Sequence, residues 1–341
     1  MVWRFDPYFG LRESGNGHRL ILMNLQNLPL ARSEVSRGAT RRSEPALMEQ
    51  ALQDSRTQVL VVQDGLLPVR SSGALAWIGP QALADLPPET GFPVFLGSDD
   101  DGPAYLAYLR FGPTHTWADK EGIAATDPIA EALRDTQQIN LRDVAHQLTA
   151  RDAGLAAPAV ALFNWHATHQ FCAACGSPTR VTVGGWVREC EREGRLAFPR
   201  TDPAVIVAVV DDADRILLGH SAHWPEGRFS CLAGYVEPGE GLEEAVAREV
   251  LEEVSVSLSD IRYLGSQTWP FPASVMAAFT AKSRSTALVP DGVEITEARW
   301  FSRAELAADI QAGRVKMPMP SSIAHVMISN WFGAPVPLKS P

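Results

Sequence analysis

Three glutamates, Glu249, Glu252 and Glu253, fall within five consecutive positions of the stretch GYVEPGEGLEEAVAREVLEEVSV (residues 234–256), in which seven of 23 residues are glutamate. Like charges this close repel, so something must offset the repulsion. On a helix over residues 241–254 the three stand at i, i+3 and i+4, where side chains are neighbours. Ala247, Val250, Leu251 and Val254 fall at i, i+3, i+4 and i+7 and are expected to form the apolar face. Arg248 stands four residues before Glu252 and can pair with it. Ahead of the helix, EPGEG (residues 237–241) reads as a turn with permissive glycines.

A solvated acidic face is the common use of such a helix. Clustered carboxylates destabilise an isolated helix unless something neutralises them. A hard divalent cation does so, since magnesium takes oxygen ligands from a few carboxylates and from substrate phosphates.

The stretch resembles the Nudix box: Gly, five residues, Glu, seven residues, Arg-Glu, an aliphatic, any residue, Glu-Glu, any residue, Gly, an aliphatic. Gly234, Glu240, Arg248, Glu249, Val250, Glu252, Glu253 and Val256 match it. Ser255 stands where the pattern has a glycine, expected to be left-handed, so serine there costs roughly 1 kcal/mol. The resemblance implies a nucleoside-diphosphate-linked-to-X hydrolase. Glu249 and Glu253 would ligate Mg²⁺ or Mn²⁺, with Glu252 a further ligand or base. Arg248 would orient a glutamate, and the backbone carbonyl of Ala233 would join the metal shell. Such ions polarise a pyrophosphate and lower the pKa of a bound water.

Downstream, SQTWPFPAS (residues 266–274) taken alone reads as an aromatic–proline loop packed on the core. After a Nudix box it is similar to the SQPWPFPxS signature of NADH pyrophosphatases of the NudC type. Gln267, Trp269, Pro270, Phe271, Pro272 and Ser274 match; Thr268 replaces a proline and Ala273 a common glutamine. In that family the loop contacts the dinucleotide, aromatics stacking on flat rings and Gln267 and Ser274 able to hydrogen-bond. Tyr235 in CLAGYVEPGE stands where the family stacks adenine on a phenylalanine. Glu294 in VEITEARWF matches a later metal-binding glutamate, whereas Glu297 reads as a surface residue. Ala324 in PSSIAHVMI would border the substrate, and Arg142 in NLRDVA matches a substrate arginine whose guanidinium suits phosphate. The likeness covers most of residues 140–335.

Cys172 and Cys175 form C-x2-C, and Cys190 follows. In many members of that family a second C-x2-C completes a four-cysteine zinc ribbon; this chain has Glu193 in the fourth position. Three readings stay open: structural zinc on three thiolates and Glu193, a fourth ligand from His166 or His169, or a ribbon held by packing without metal. Cys231 reads as a small buried apolar residue. Two contacts are missing, with Gly185 where some members of the family have a glutamate before the ribbon tryptophan and Phe198 where an aromatic hydroxyl is found near the end of the ribbon.

The elements that position these residues are legible in outline. PAVIVAVV (203–210) and RILLGH (215–220) read as strands, as do QVLVVQDG (58–65) and LAWIGP (75–80). ALRDTQQINLRDVAHQL (132–148) reads as loop plus helix, and AAPAVALFNWHATH (156–169) as an apolar helix with Pro158 in its first turn. No internal repeat is visible. Strands interleaved with helices give an α+β chain: a Nudix α/β/α sandwich over 201–335, a zinc-ribbon-like segment over 166–200 and an N-terminal α/β domain over 1–165.

The chain has 341 residues, 45% of them hydrophobic, and a net charge of −10, which argues against a general electrostatic grip on nucleic acid or anionic membrane. MVWRFDPYFG (1–10) lacks a signal-peptide core, so a cytoplasmic protein is expected. The family likeness implies a homodimer that hydrolyses NAD(H) to NMN(H) and AMP and can remove NAD caps from RNA. The alternatives are a diphosphatase preferring ADP-ribose or another nucleotide sugar, and a Nudix ligand sensor without turnover.

Overall fold

The computed structural model describes residues 25, 28–84, 86–99, 102–111 and 127–336; the opening MVWRFDPYFG lies outside them. The first unit contains α1 (Leu47–Gln53), β1 (Gln58–Gln63), β2 (Leu66–Arg70), β3 (Gly91–Ser98), β4 (Ala104–Arg110), α2 (Pro128–Ala132), β5 (Thr136–Asn140), α3 (Leu141–Val144) and α4 (Ala150–Thr168). Its sheet runs β3-β4-β1-β2-β5, with β1 parallel to β4 and the other pairs antiparallel. Alternation splits β1 between two cores. Leu60 and Val62 pack on α4, and Val59 and Val61 on α1 and α2.

Three local expectations change here. The segment 132–148 contains strand β5 before its helix. LAWIGP makes only isolated bridges, Val59 to Ile78 and Val69 to Leu75, not a strand. Helix α4 starts earlier than its apolar run, because the Thr149 hydroxyl caps it by accepting the Asp152 N–H at 3.1 Å. Pro158 therefore lies inside the helix, not in its first turn.

The ribbon follows as β6 (Thr179–Thr182), β7 (Val187–Cys190) and β8 (Leu196–Ala197). Its β6–β7 turn docks on β3. Trp186 Nε1 donates to the Phe95 carbonyl at 2.6 Å, and the Arg42 guanidinium lies 3.6 Å over the Trp186 ring. Gly185, at φ +90°, lies so close to Val94 that any Cβ would collide with it. The missing glutamate at this position is thus excluded by packing.

The last unit contains β9 (Asp202–Val210), β10 (Ile216–Ser221), β11 (Leu232–Tyr235), α5 (Leu242–Val254), β12 (Leu258–Trp269), β13 (Ser274–Ser283), β14 (Ile295–Phe301), α6 (Arg303–Gln311) and α7 (Ile323–Phe332). From Pro203 to Val210 strand β9 is apolar, because both its faces are covered there. Val205, Val207 and Val209 meet α5, while Ile206 and Ala208 meet α6 and α7. This is the expected α/β/α sandwich. Leu25 and Leu28 also pack into its second core, so the N-terminal segment does not belong to the first unit alone.

The two large sheets share one topology. The order β12-β13-β9-β10-β14 repeats β3-β4-β1-β2-β5, and every corresponding pair has the same sense. The sequence shows no repeat because many apolar residues satisfy the same strand alternation. Between β2 and β3 the described residues form the short turns Pro80–Leu83 and Pro88–Thr90 and two isolated bridges, where the second copy inserts β11 and α5. The glutamate helix therefore occurs once.

Helix α5 ends at Ser255, whose φ of 59° and ψ of 33° are left-handed as expected. Relieving that strain with Ser255→Gly is expected to raise stability by about 0.5–1 kcal/mol. A denaturant midpoint that fails to rise would contradict this.

Candidate active site

Helix α5 is fixed at its start, where the Glu244 carboxylate accepts the Gly241 N–H at 3.0 Å. Its buried face is Ala245, Val246, Val250 and Val254, with Ala247 half-buried and Leu251 53% exposed. This corrects the expected apolar face: the helix is rotated so that Glu253 points inward at 6% exposure. Glu252 points outward.

Arg248 organises the carboxylates. It grips Glu240 with two bonds (2.7 and 2.9 Å) and donates to Glu249 at 2.9 Å, to Glu252 at 3.0 Å and to the Tyr235 carbonyl at 2.9 Å. The Arg248 guanidinium and the Glu237 N–H lower the Glu240 carboxyl to about 2. The Glu249 carboxylate lies against the Cα of Gly234, where any Cβ would collide with it. That is the steric reason for the glycine that opens the motif, and Ala233 precedes it on β11.

Glu253 has no such relief. Its Oε2 is buried and has no hydrogen-bond partner. Burial first, then the charges of Glu249, Glu294, Asp291 and Glu252, push its carboxyl up to about 8. A carboxyl that burial and like charges keep from ionising can ionise when a cation sits beside it, and an all-oxygen donor set fits a hard one. Glu294 reaches this cluster through Asp291, which the sequence reading missed. The Asp291 carboxylate accepts the N–H groups of Val293, Glu294 and Ile295, and its own N–H donates to the Glu253 carbonyl at 3.0 Å. The Asp-Gly pair ahead of VEITEARWF was the available signal. Glu297 is exposed on β14, as expected.

The SQTWPFPAS segment joins β12 to β13 beside this cluster. Tyr235 is 57% exposed, and its hydroxyl lies 3.2 Å from the Ser274 hydroxyl. Trp269 and Phe271 meet edge to face at 4.9 Å, and the Arg142 guanidinium lies 5.0 Å from the Phe271 ring centre. Thr268 and Ala273 are half-buried, Pro270 is buried and Pro272 exposed. Two expected contacts take other roles. Gln267, 1% exposed, is a strut that accepts the Leu30 N–H at 3.2 Å and donates to the Ser321 carbonyl at 3.0 Å. Ala324 is buried in the core beneath α7 and does not border an open surface.

In the ribbon, the thiols of Cys172, Cys175 and Cys190 lie within 4.8 Å of one another, and the Glu193 N–H donates to Cys190 Sγ at 3.4 Å. Three converging thiols fit zinc. Glu193 is not in this cluster; its carboxylate pairs with Arg195 at 2.8 Å and Arg192 at 3.1 Å. Neither histidine joins the cluster. His166 is buried with both ring nitrogens engaged, by the Gly185 carbonyl at 2.9 Å and by Arg188 at 3.0 Å. His169 Nδ1 lies 2.9 Å from the Trp165 carbonyl. Cys231 is buried, and burial raises its thiol to about 12, in line with an apolar role.

The sequence matches the NUDIX domain over residues 200–319, the NADH pyrophosphatase zinc ribbon domain over 167–195, and the NADH pyrophosphatase-like rudimentary NUDIX domain over 50–165. It is similar to the NAD-capped RNA hydrolase NudC of Mycobacterium tuberculosis, 40% identical over 288 residues that cover 82% of this chain and 84% of that one. It is also similar to the human NAD-capped RNA hydrolase NUDT12, 38% identical over 198 residues that cover 54% of this chain and 43% of that one.

The Glu253 geometry makes a stability prediction for metal-free protein. Its folded-state pKa is raised from 4.5 to about 8, so the cost is absent at low pH and grows as pH climbs through that window. Metal-free Glu253→Gln is expected to be more stable than the unmutated chain at pH 8, by on the order of 4 kcal/mol, with the gap closing below about pH 4. Equal stabilities at pH 8 would remove the argument that the site is strained without a cation.

Proposed function

The chain belongs to the NADH pyrophosphatase family of Nudix hydrolases, and on that premise we propose that it hydrolyses the pyrophosphate of NAD(H) to NMN(H) and AMP and also removes NAD caps from RNA. The observation that carries this reading is the buried, unpartnered Glu253 oxygen among Glu249, Glu252 and Glu294. Those residues would hold Mg²⁺ or Mn²⁺, with the Ala233 carbonyl completing the set. A divalent ion bound there would polarise the pyrophosphate and lower the pKa of the attacking water.

The chain's own groups do the rest. Arg248 holds Glu249 and Glu252 in place while Glu240 anchors the guanidinium from behind. The exposed Tyr235 ring offers a stacking face, and Arg142 brings a cation to the edge of the loop. Trp269 and Phe271 offer flat surfaces to the second half of the dinucleotide. Zinc on Cys172, Cys175 and Cys190 would be structural, tying the ribbon together far from any water-activating role. Among the described residues no helix is long and apolar enough to cross a membrane. We assign the enzyme to the cytoplasm, as a homodimer on family likeness.

Incubation with NADH, and separately with ADP-ribose, in Mn²⁺ and in EDTA tests the reading. Metal-dependent NMNH and AMP, formed faster than ADP-ribose is broken down, are expected. Brisk ADP-ribose cleavage with little from NADH would move the specificity to nucleotide sugars, and binding without turnover would make the protein a sensor. Glu253→Gln is expected to lower turnover at least roughly a hundredfold with the fold intact. On the purified chain, a zinc content below about a tenth per chain would remove the structural zinc, and a light-scattering mass near one chain would remove the dimer.

A further inference from the structure

The turn that carries Trp269 and Phe271 is closed by the Trp269–Ser274 pair of β12 and β13 but leaves two proline carbonyls for donors from elsewhere. Pro270 and Pro272 have no N–H to donate. Within the turn, Phe271 N–H reaches back to the Trp269 carbonyl at 2.7 Å. The carbonyls of Pro270 and Pro272 find their donor in the first unit. Asn164, on α4, places its Nδ2 2.8 Å from the Pro270 carbonyl and 3.4 Å from that of Pro272. Both partners are acceptors, so the amide nitrogen must face them; reversed, oxygen would meet oxygen. One side chain with two N–H groups thus serves both prolines across the boundary between units. Trp269 and Phe271 also pack against the core that α4 closes.

We propose that Asn164 is a positioning residue that sets the turn carrying Trp269 and Phe271, and through it the binding of the nicotinamide half of the substrate. The inference rests on the functional reading above and deepens it. It gives the first unit, which lacks the glutamate helix, a task in substrate recognition: its long helix clamps the loop that the catalytic sandwich presents.

Two variants separate positioning from packing. Asn164→Ala removes the amide, and Asn164→Asp keeps its shape but turns an acceptor on the two carbonyls. Both are expected to raise the KM for NADH about tenfold. The kcat should stay within about threefold, and the KM for ADP-ribose, which has no nicotinamide, should not move. Thermal melts check the fold; if Asn164→Ala does not fold, the isosteric Asn164→Asp decides. An unmoved KM for NADH in Asn164→Asp, beside an unmutated enzyme that cleaves NADH, overturns the inference alone. Equal KM increases for NADH and ADP-ribose overturn it too, since a general structural role would act on both. An unmutated enzyme that leaves NADH intact overturns the functional reading and this inference with it.

Discussion

One guanidinium holds the active-site helix in order. Arg248 is the only described donor that reaches Glu240, Glu249, Glu252 and the Tyr235 carbonyl together. Without it, the acidic face of α5 would be a set of mutually repelling side chains with no common geometry. With it, Glu249 and Glu252 are aimed and β11 is tied to the helix. Glu253, the fourth carboxylate of the region, is left without a donor. Arg248 thus pairs with Glu240, Glu249 and Glu252 and leaves the buried Glu253 carboxyl for a cation.

That helix also sets the requirements on its neighbours. Gly234 has no side chain because Glu249 lies where its Cβ would be. Asp291 gathers three backbone N–H groups to bring Glu294 to the cluster, while its own N–H anchors the loop to the end of α5. From Tyr235 the order passes by its hydroxyl to Ser274 and so to the loop of Trp269 and Phe271. The carboxylate cluster and the aromatic loop are parts of one hydrogen-bonded frame.

The first unit completes the frame from outside. It repeats the strand order of the catalytic sandwich but carries short turns and two isolated bridges where the other has α5. What it supplies is support: Asn164 on the proline carbonyls, Arg142 near Phe271, and the backbone of Leu30 on Gln267. The ribbon is fastened to the same unit through Trp186 and the close approach of Gly185 to Val94. A glutamate at that position would separate the two elements, so the departure from the family pattern follows from packing.

The sequence alone determined what depends on local spacing. Residues at i, i+3 and i+4 must share a helix face, so Glu249, Glu252, Glu253 and Arg248 could be grouped before any fold was known. An apolar run such as that of β9 must be covered on both sides, and three cysteines at ribbon spacing converge on one point. The tertiary structure decided what depends on distant partners. Spacing alone did not show that α5 turns Leu251 outward and Glu253 inward, since that choice belongs to the sheet packed against it. Gln267 and Ala324 match substrate-contacting positions in the motif, yet the chain uses both internally: Gln267 satisfies Leu30 and Ser321, and α7 buries Ala324. Asn164 sits on an apolar helix with nothing local to mark it, and the shared topology of the two sheets is invisible because alternation constrains polarity and not identity. Periodicity tells which atoms lie side by side; only long-range packing tells which are buried and which groups satisfy them.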